Sequence, residues 1–283
     1  MTAFQIREMA PADVDAAVDL ALAQGWRNRR AFYALTLRTR ACQPLVGVLG
    51  SRVVATGLAT VSTPVGWLGA VIVDEEVRGC GYGRAMTEEL RRRLRAAGCE
   101  TLALVATAAG QPLYERMGFR IATHYRQMEG DHLAAAPEAP DGSRLRPMTP
   151  ADLTRVLELD RLATAEDRRD VLTELAAVGG WVLEDTAGPA AGLRGFLLPS
   201  DRAYAAIVAP GFRDGLCLLE LHRHLAAPDG HARAAIPDEH PAAWRELEAR
   251  GWRHTWLAPR MLDGPDVLWR PTWIWGLINS AMG

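Results

Sequence analysis

The 283-residue chain contains no lysine: all 32 of its basic residues are arginine. That absence removes the P-loop lysine, the pyridoxal-phosphate lysine and the Schiff-base lysine together. GC-rich coding explains it without any functional cause. Cysteine is scarce as well. Cys42, Cys80, Cys99 and Cys217 form no C-x-x-C pair and have no metal-ligand spacing, so a reduced, cytoplasmic setting is expected. No apolar run approaches the roughly 18–20 residues that span a bilayer, and residues 1–8 lack a basic stretch leading into an apolar one. Neither a membrane partner nor a signal peptide is expected. Excess charge is missing too; a net charge of −2 gives nucleic acid no electrostatic footing. His222 and His224, two residues apart, do not share a helix face, and neither they nor His231 and His240 have a cysteine at ligand spacing. No metal is expected.

What is present is apolar surface in quantity. Hydrophobic residues make up 49% of the chain, enough for real cores, and the length suggests two domains. The sequence also repeats itself. Phe4-Gln-Ile-Arg-Glu-Met-Ala-Pro-Ala-Asp-Val14 returns as Ser143-Arg-Leu-Arg-Pro-Met-Thr-Pro-Ala-Asp-Leu153. Tyr114-Glu-Arg-Met-Gly-Phe-Arg120 returns as Leu247-Glu-Ala-Arg-Gly-Trp-Arg253, and Ile72–Gly79 is echoed by Ile207–Asp214. The matches keep their order, which predicts two copies of one fold of about 130 residues each. Residues 131–143, small, polar and proline-bearing, read as a linker between copies at 1–130 and 144–283.

Within the first copy the pattern predicts a short strand and then a helix near Pro11-Ala-Asp13. Two strands follow about Gly50, then a strand over 67–73 and a helix over 84–97 ended by Gly98. A buried strand at 102–107, a short helix from Gly110 and a last strand over 121–128 complete it. This is a mixed α/β order with a strand–helix–strand crossover at its centre.

Two segments carry chemistry. Arg78-Gly-Cys-Gly-Tyr-Gly-Arg84 joins the 67–73 strand to the next helix. Glycines let backbone approach a ligand, and free amides at a helix start attract phosphate. A dinucleotide loop would sit near the first strand of its domain, whereas this one lies mid-domain. Leu113-Tyr-Glu-Arg-Met-Gly-Phe119 follows, placing Tyr114 31 positions after Gly83 (30 residues intervening). Together, in this order and at that spacing, the two segments resemble the GNAT superfamily of acyl-CoA-dependent N-acetyltransferases, over residues 3–128. Gly25-Trp-Arg-Asn28 and Ala106-Thr-Ala-Ala-Gly110 further resemble a two-domain bacterial group whose second half is degenerate.

The resemblance implies tandem domains, each a mixed, mainly antiparallel sheet flanked by helices. It implies acetyl-CoA as co-substrate, with Val71, Ile72 and Val73 along the pantetheine arm and the amides of Gly79, Cys80, Gly81, Tyr82, Gly83 and Arg84 around the pyrophosphate, Arg78 adding positive charge. The Val73 N–H would polarise the thioester carbonyl, and Tyr114 would protonate the departing thiolate. The family pattern suggests an acidic residue near position 105, where this chain has Val105, and Asp74, Glu75 and Glu76 read as solvated loop charges. Thr107, Trp26 and Asn28 are candidates for the acceptor side; Trp26 reads equally as a core anchor. The acceptor would be a small-molecule or peptide amine, and the chain a monomer or homodimer.

The second copy lacks the machinery. Its loop reads Pro210-Gly-Phe-Arg-Asp-Gly-Leu-Cys217, leaving Gly215 to approach a phosphate, and Leu247 stands where Tyr114 stands in the first. Seven of the nine tryptophans fall in this copy, and the tail Trp269–Trp275 reads either as part of the second core or as a docking segment. A non-catalytic acyl-CoA sensor is the rival reading to an enzyme.

Overall fold

The computed structural model describes residues 3–26, 29–186, 192–200 and 203–283. The first half runs β1 (Phe4–Glu8), α1 (Val14–Ala23), α2 (Arg30–Arg38), β2 (Cys42–Leu49), β3 (Arg52–Ser62) and β4 (Val65–Val73). It continues through α3 (Tyr82–Ala96), β5 (Thr101–Val105), α4 (Gln111–Arg116) and β6 (Arg120–Asp131). The second half runs β7 (Ser143–Pro147), α5 (Leu153–Thr164), α6 (Arg169–Ala176), β8 (Trp181–Asp185), β9 (Leu193–Pro199), β10 (Ala205–Val208) and α7 (Phe212–Leu225). Then come β11 (His231–Pro237), α8 (Pro241–Ala249), β12 (Arg253–Asp263) and β13 (Ile274–Gly276). Mixed sheets flanked by helices were the expectation, and this is what forms. Helix α2, which the sequence pattern did not announce, is the addition.

The repeat is visible in one local device. Arg7 makes a two-pronged ion pair with Asp13 (2.6 and 2.8 Å), and Asp13 accepts from the Ala10 N–H (2.7 Å). In the second half Arg146 holds Asp152 (2.7 and 2.7 Å), which accepts from the Thr149 N–H (2.8 Å). Each aspartate closes the 3-10 turn that leads into α1 or α5 and satisfies amides that a helix start leaves free.

The halves are interleaved. One sheet has the order β1-β2-β3-β4-β5-β12-β6-β11, so β12, from the second half, lies between β5 and β6 of the first. β11 pairs antiparallel with β6 from His231↔Asp131 to Pro237↔Tyr125. The second sheet is β13-β10-β9-β8-β7. Residues 132–142 join β6 to β7, and the ladder crosses that connection: the eight-stranded sheet takes β11 and β12 from the second half, while the five-stranded sheet is built from second-half strands alone. That solves the edge problem: β6, otherwise a long exposed strand, is paired on both sides.

The sheet opens between β4 and β5. β4 and β5 are parallel, but their ladder covers only Val65–Trp67 against Thr101–Ala103. Beyond Trp67 they diverge. A bulge lies there: Ile72 pairs Thr56 while Gly69 pairs Leu58, and Ala70 takes φ +50°. Helix α3 packs Met86, Leu90 and Leu94, one per turn, onto β3 and β4, where Gly57 and Gly66 leave room for them.

Candidate active site

The glycine loop ends on Gly81, the N-cap of α3, at φ +83°. A residue with a side chain is strained at that angle. Gly81 also offers no side chain to cap the helix, so the first-turn amides of a 15-residue helix stay available to an anion. The helix begins two residues before the sequence pattern suggested. Gly83 lies against the strand that precedes the loop: a Cβ there would sit 3.6 Å from Val73 Cγ2 and 3.5 Å from Leu113 Cδ2. The loop, the end of β4 and the start of α4 therefore meet.

The β4 edge can be read from its register. Val73 faces Ala55, and the next amide, Asp74 N, bonds Val54 O (2.9 Å). That makes Val73–Ala55 a non-hydrogen-bonded pair, so the N–H and C=O of Val73 point away from β3, into the divergence. Ile72, one residue earlier, directs its backbone to Thr56. Of the three strand residues expected along a pantetheine arm, Val73 offers backbone to the open side, alternation gives Val71 the same direction, and Ile72 is turned inward.

Side chains around the loop are engaged with protein. Arg78 donates to Val73 O (3.3 Å), to Gln24 Oε1 and to Glu75 (3.1 Å). The Tyr82 ring stacks on Phe4 at 4.1 Å, leaving its backbone as its contribution to the loop. Arg84 pairs with Glu88, and Cys80 is exposed between the two left-handed glycines. Asp74 and Glu76 both pair with Arg52 (2.5 and 2.7 Å), so these loop carboxylates are tied at the surface.

Tyr114 sits in α4, edge-on to Phe119 at 5.9 Å, and burial pushes its phenol up to about 12. Thr107, expected on the acceptor side, accepts from the Gly110 N–H (3.2 Å) and so holds the turn into α4. Val105 packs among apolar residues. Trp26 packs with Leu20, Ala21 and Ile72, and the Arg29 guanidinium lies over its ring at 4.6 Å, occupying the face an amine would use. Asn28 lies outside the described residues. His222 and His224 bond the carbonyls of Ala203 and Leu133.

One group near β4 had no signal in the sequence. Glu166, from the second half, is buried, accepts from Trp67 Nε1 (2.8 Å), and shares a small cavity with Tyr125, Arg168, Arg260 and Trp269. Burial pushes its carboxyl up to about 7 against the pull of Arg168 and Arg260.

The second copy differs more than its sequence suggested. Its loop is cut to Ala209-Pro210-Gly211, and α7 starts at Phe212, so Gly215 lies inside the helix rather than in a loop. A Cβ at Gly215 would fall 1.9 Å from the Trp275 ring. Asp214 brings its own carboxylate to the helix start, where Arg194 binds it (2.8 and 3.1 Å). The anion position is filled by the protein. Leu247 is fully buried.

Residues 10–119 match the acetyltransferase (GNAT) family. A segment of 67 residues is 39% identical to glucosamine 6-phosphate N-acetyltransferase of Trypanosoma brucei brucei; it is 24% of this chain and spans 44% of that relative's length. In overall shape the chain is similar to a protein of Pyrococcus horikoshii provisionally assigned as an acetyltransferase (TM-score 0.81, 21% identity, 100% of this chain and 97% of that one). It is also similar to a tandem GNAT protein from the clavulanic acid biosynthesis pathway (TM-score 0.67, 18% identity, 94% and 100%).

Proposed function

We propose that this chain, which carries a GNAT-family acetyltransferase domain in residues 10–119, transfers the acetyl group of acetyl-CoA to an amine by direct attack. The observation that carries the reading is the open edge of β4 leading away from the glycine-capped start of α3. The amides of Gly79 to Arg84 take the pyrophosphate, and Arg78 adds charge once it releases Gln24 and Glu75. Because Val73 lies against Gly83, it meets the arm close to the phosphates. The thioester, at the far end of that arm, then falls nearer Val71. On this reading Val71 N–H takes the polarising role first expected of Val73, and Val73 holds an amide of the arm.

The reaction forms the C–N bond from the lone pair of a neutral amine and breaks the C–S bond. Tyr114 donates to the departing sulfur, and the proton shed by nitrogen returns to Tyr114 or passes to solvent. A phenol pushed up to about 12 keeps its proton at neutral pH and so stays available to donate to the sulfur as the C–S bond breaks. No loop carboxylate is placed in the role of base, since Asp74, Glu75 and Glu76 are held in surface ion pairs.

We assign the reaction to residues 1–130 completed by β12, with 131–143 as linker and 144–283 as a degenerate copy. The acceptor is a small-molecule or peptide amine; glucosamine 6-phosphate is the first to try, from the name of the matched relative. The test is thiol release from acetyl-CoA over an amine panel, with Tyr114→Phe beside the unaltered chain. Turnover should fall about 10²-fold or more on loss of a general acid, with acetyl-CoA affinity nearly unchanged. Unchanged turnover removes Tyr114 from the mechanism. Tight acetyl-CoA binding with no product from any amine favours the sensor reading.

A further inference from the structure

Residues 273–282 thread from one copy into the other. β13 adds antiparallel to β10, pairing Ile207↔Gly276 and Val208↔Ile274. Ala209 N donates to Trp273 O (3.0 Å), and Trp275 Nε1 donates to Ala209 O (3.1 Å). Trp275 is fully buried against Gly215, His240 (ring centroids 4.6 Å) and Phe212 (5.5 Å). Ile207–Val208 is the counterpart of Ile72–Val73, so the edge that stays open in the first copy is closed in the second by the chain itself.

From that anchor the segment crosses to β4. Ser200 Oγ donates to Ile278 O. Leu277, Ile278, Ala281 and Met282 are buried in one cluster with Ala70. A Cβ added at Gly69 would lie 2.3 Å from Ala281 Cβ and 2.4 Å from its Cα, so the two backbones are in direct contact. Gly69 and Ala70 are the bulge at which β4 leaves β5.

We propose that residues 277–282 form the closed end of the acyl pocket and restrict the donor to short acyl groups, the second copy serving as their anchor. The inference rests on the acyltransferase reading. An arm that runs from α3 down the β4 edge past Val73 and Val71 points its acyl group at Gly69–Ala70. There the methyl and backbone of Ala281 and the Ala70 methyl fill the space, and a longer acyl chain must displace packed atoms. Gly69 has to be glycine for the same reason.

Calorimetric binding of CoA, acetyl-CoA, butyryl-CoA and hexanoyl-CoA tests this without an acceptor. Hexanoyl-CoA should bind the unaltered chain at least about 10-fold more weakly than acetyl-CoA. In Ala281→Gly, and in a variant ending at Gly276, the gap should narrow to about 3-fold or less while CoA affinity holds. Melting curves establish that each variant is folded. Equal binding of hexanoyl-CoA and acetyl-CoA by the unaltered chain overturns the inference, whatever the variants do. So does an unchanged acyl preference in folded variants that still bind CoA. If the unaltered chain binds no CoA, the acyltransferase reading fails and takes this inference with it.

Discussion

Two titratable side chains near the divergence of β4 and β5, Tyr114 half-buried and Glu166 buried, respond to their surroundings in the same direction, with different consequences. Tyr114 is pushed up to about 12, so it remains a neutral donor throughout the working range and contributes no alkaline limb below about pH 11. Glu166 is pushed up to about 7 by burial. In the unfolded chain it ionises near 4.3, so between roughly pH 4.5 and 7 the folded state holds a proton that the unfolded state has lost. Stability is therefore lost as pH rises through that window and changes no further above it. Glu166→Gln should flatten this slope: its melting temperature falls less than that of the unaltered chain between pH 4.5 and 7.5. Parallel slopes would mean that Glu166 is ionised in the fold. The short helix that carries Tyr114 and the glycine turn ahead of α3 were legible in the sequence because their neighbours along the chain define their setting. Glu166 was not, because Trp67 and the arginines around it come from segments far away in sequence. The partners of Thr107 and Trp26 were not legible either; the first is engaged by Gly110 N–H and the second by Arg29.

Among the elements, the starts of α1 and α5 show how a repeated sequence becomes a repeated structure. Arg7–Asp13 and Arg146–Asp152 pair across the same six-residue interval, and each aspartate also caps the following turn. The Arg146 guanidinium holds Asp152 well below the usual carboxylate range. Asp152→Ala should cost about 2 kcal/mol at pH 7, combining a lost cap with an ion pair that is mostly removed from water. The contribution is present above the ordinary carboxylate pKa and disappears as pH falls through the lowered one, so denaturant melts of the two chains should begin to converge only below about pH 4. A cost that does not vary with pH would assign the effect to packing alone. The helix at 82–96 and the strand at 65–73 were legible from periodicity and breakers. The bulge at Gly69–Ala70 was not, because it arises from how β4 meets β3 and from the tail lying on it. In the second copy, sequence alignment kept Gly215 in a loop, whereas the shortened connection puts it in α7.

At the scale of the whole molecule, the similar stretches of sequence do not announce that strands of the two halves share one sheet. The placement of β12 and β11 in that sheet depends on pairings more than 100 residues apart, which no local pattern encodes. The shared sheet makes the halves one structure with unequal roles. The first keeps an open β4 edge beside an uncapped helix start. The second closes its own edge with β13, fills its anion position with Asp214 and buries Leu247 where the first half has Tyr114. The central claim is one acyl-CoA site per chain, in the first half. Calorimetric titration of the full chain with acetyl-CoA, repeated with Gly81→Asp, tests it most directly. The account predicts one acetyl-CoA bound per chain and its loss when a carboxylate is set at the start of α3. Two bound per chain, none, or one that survives Gly81→Asp in a folded variant would contradict it.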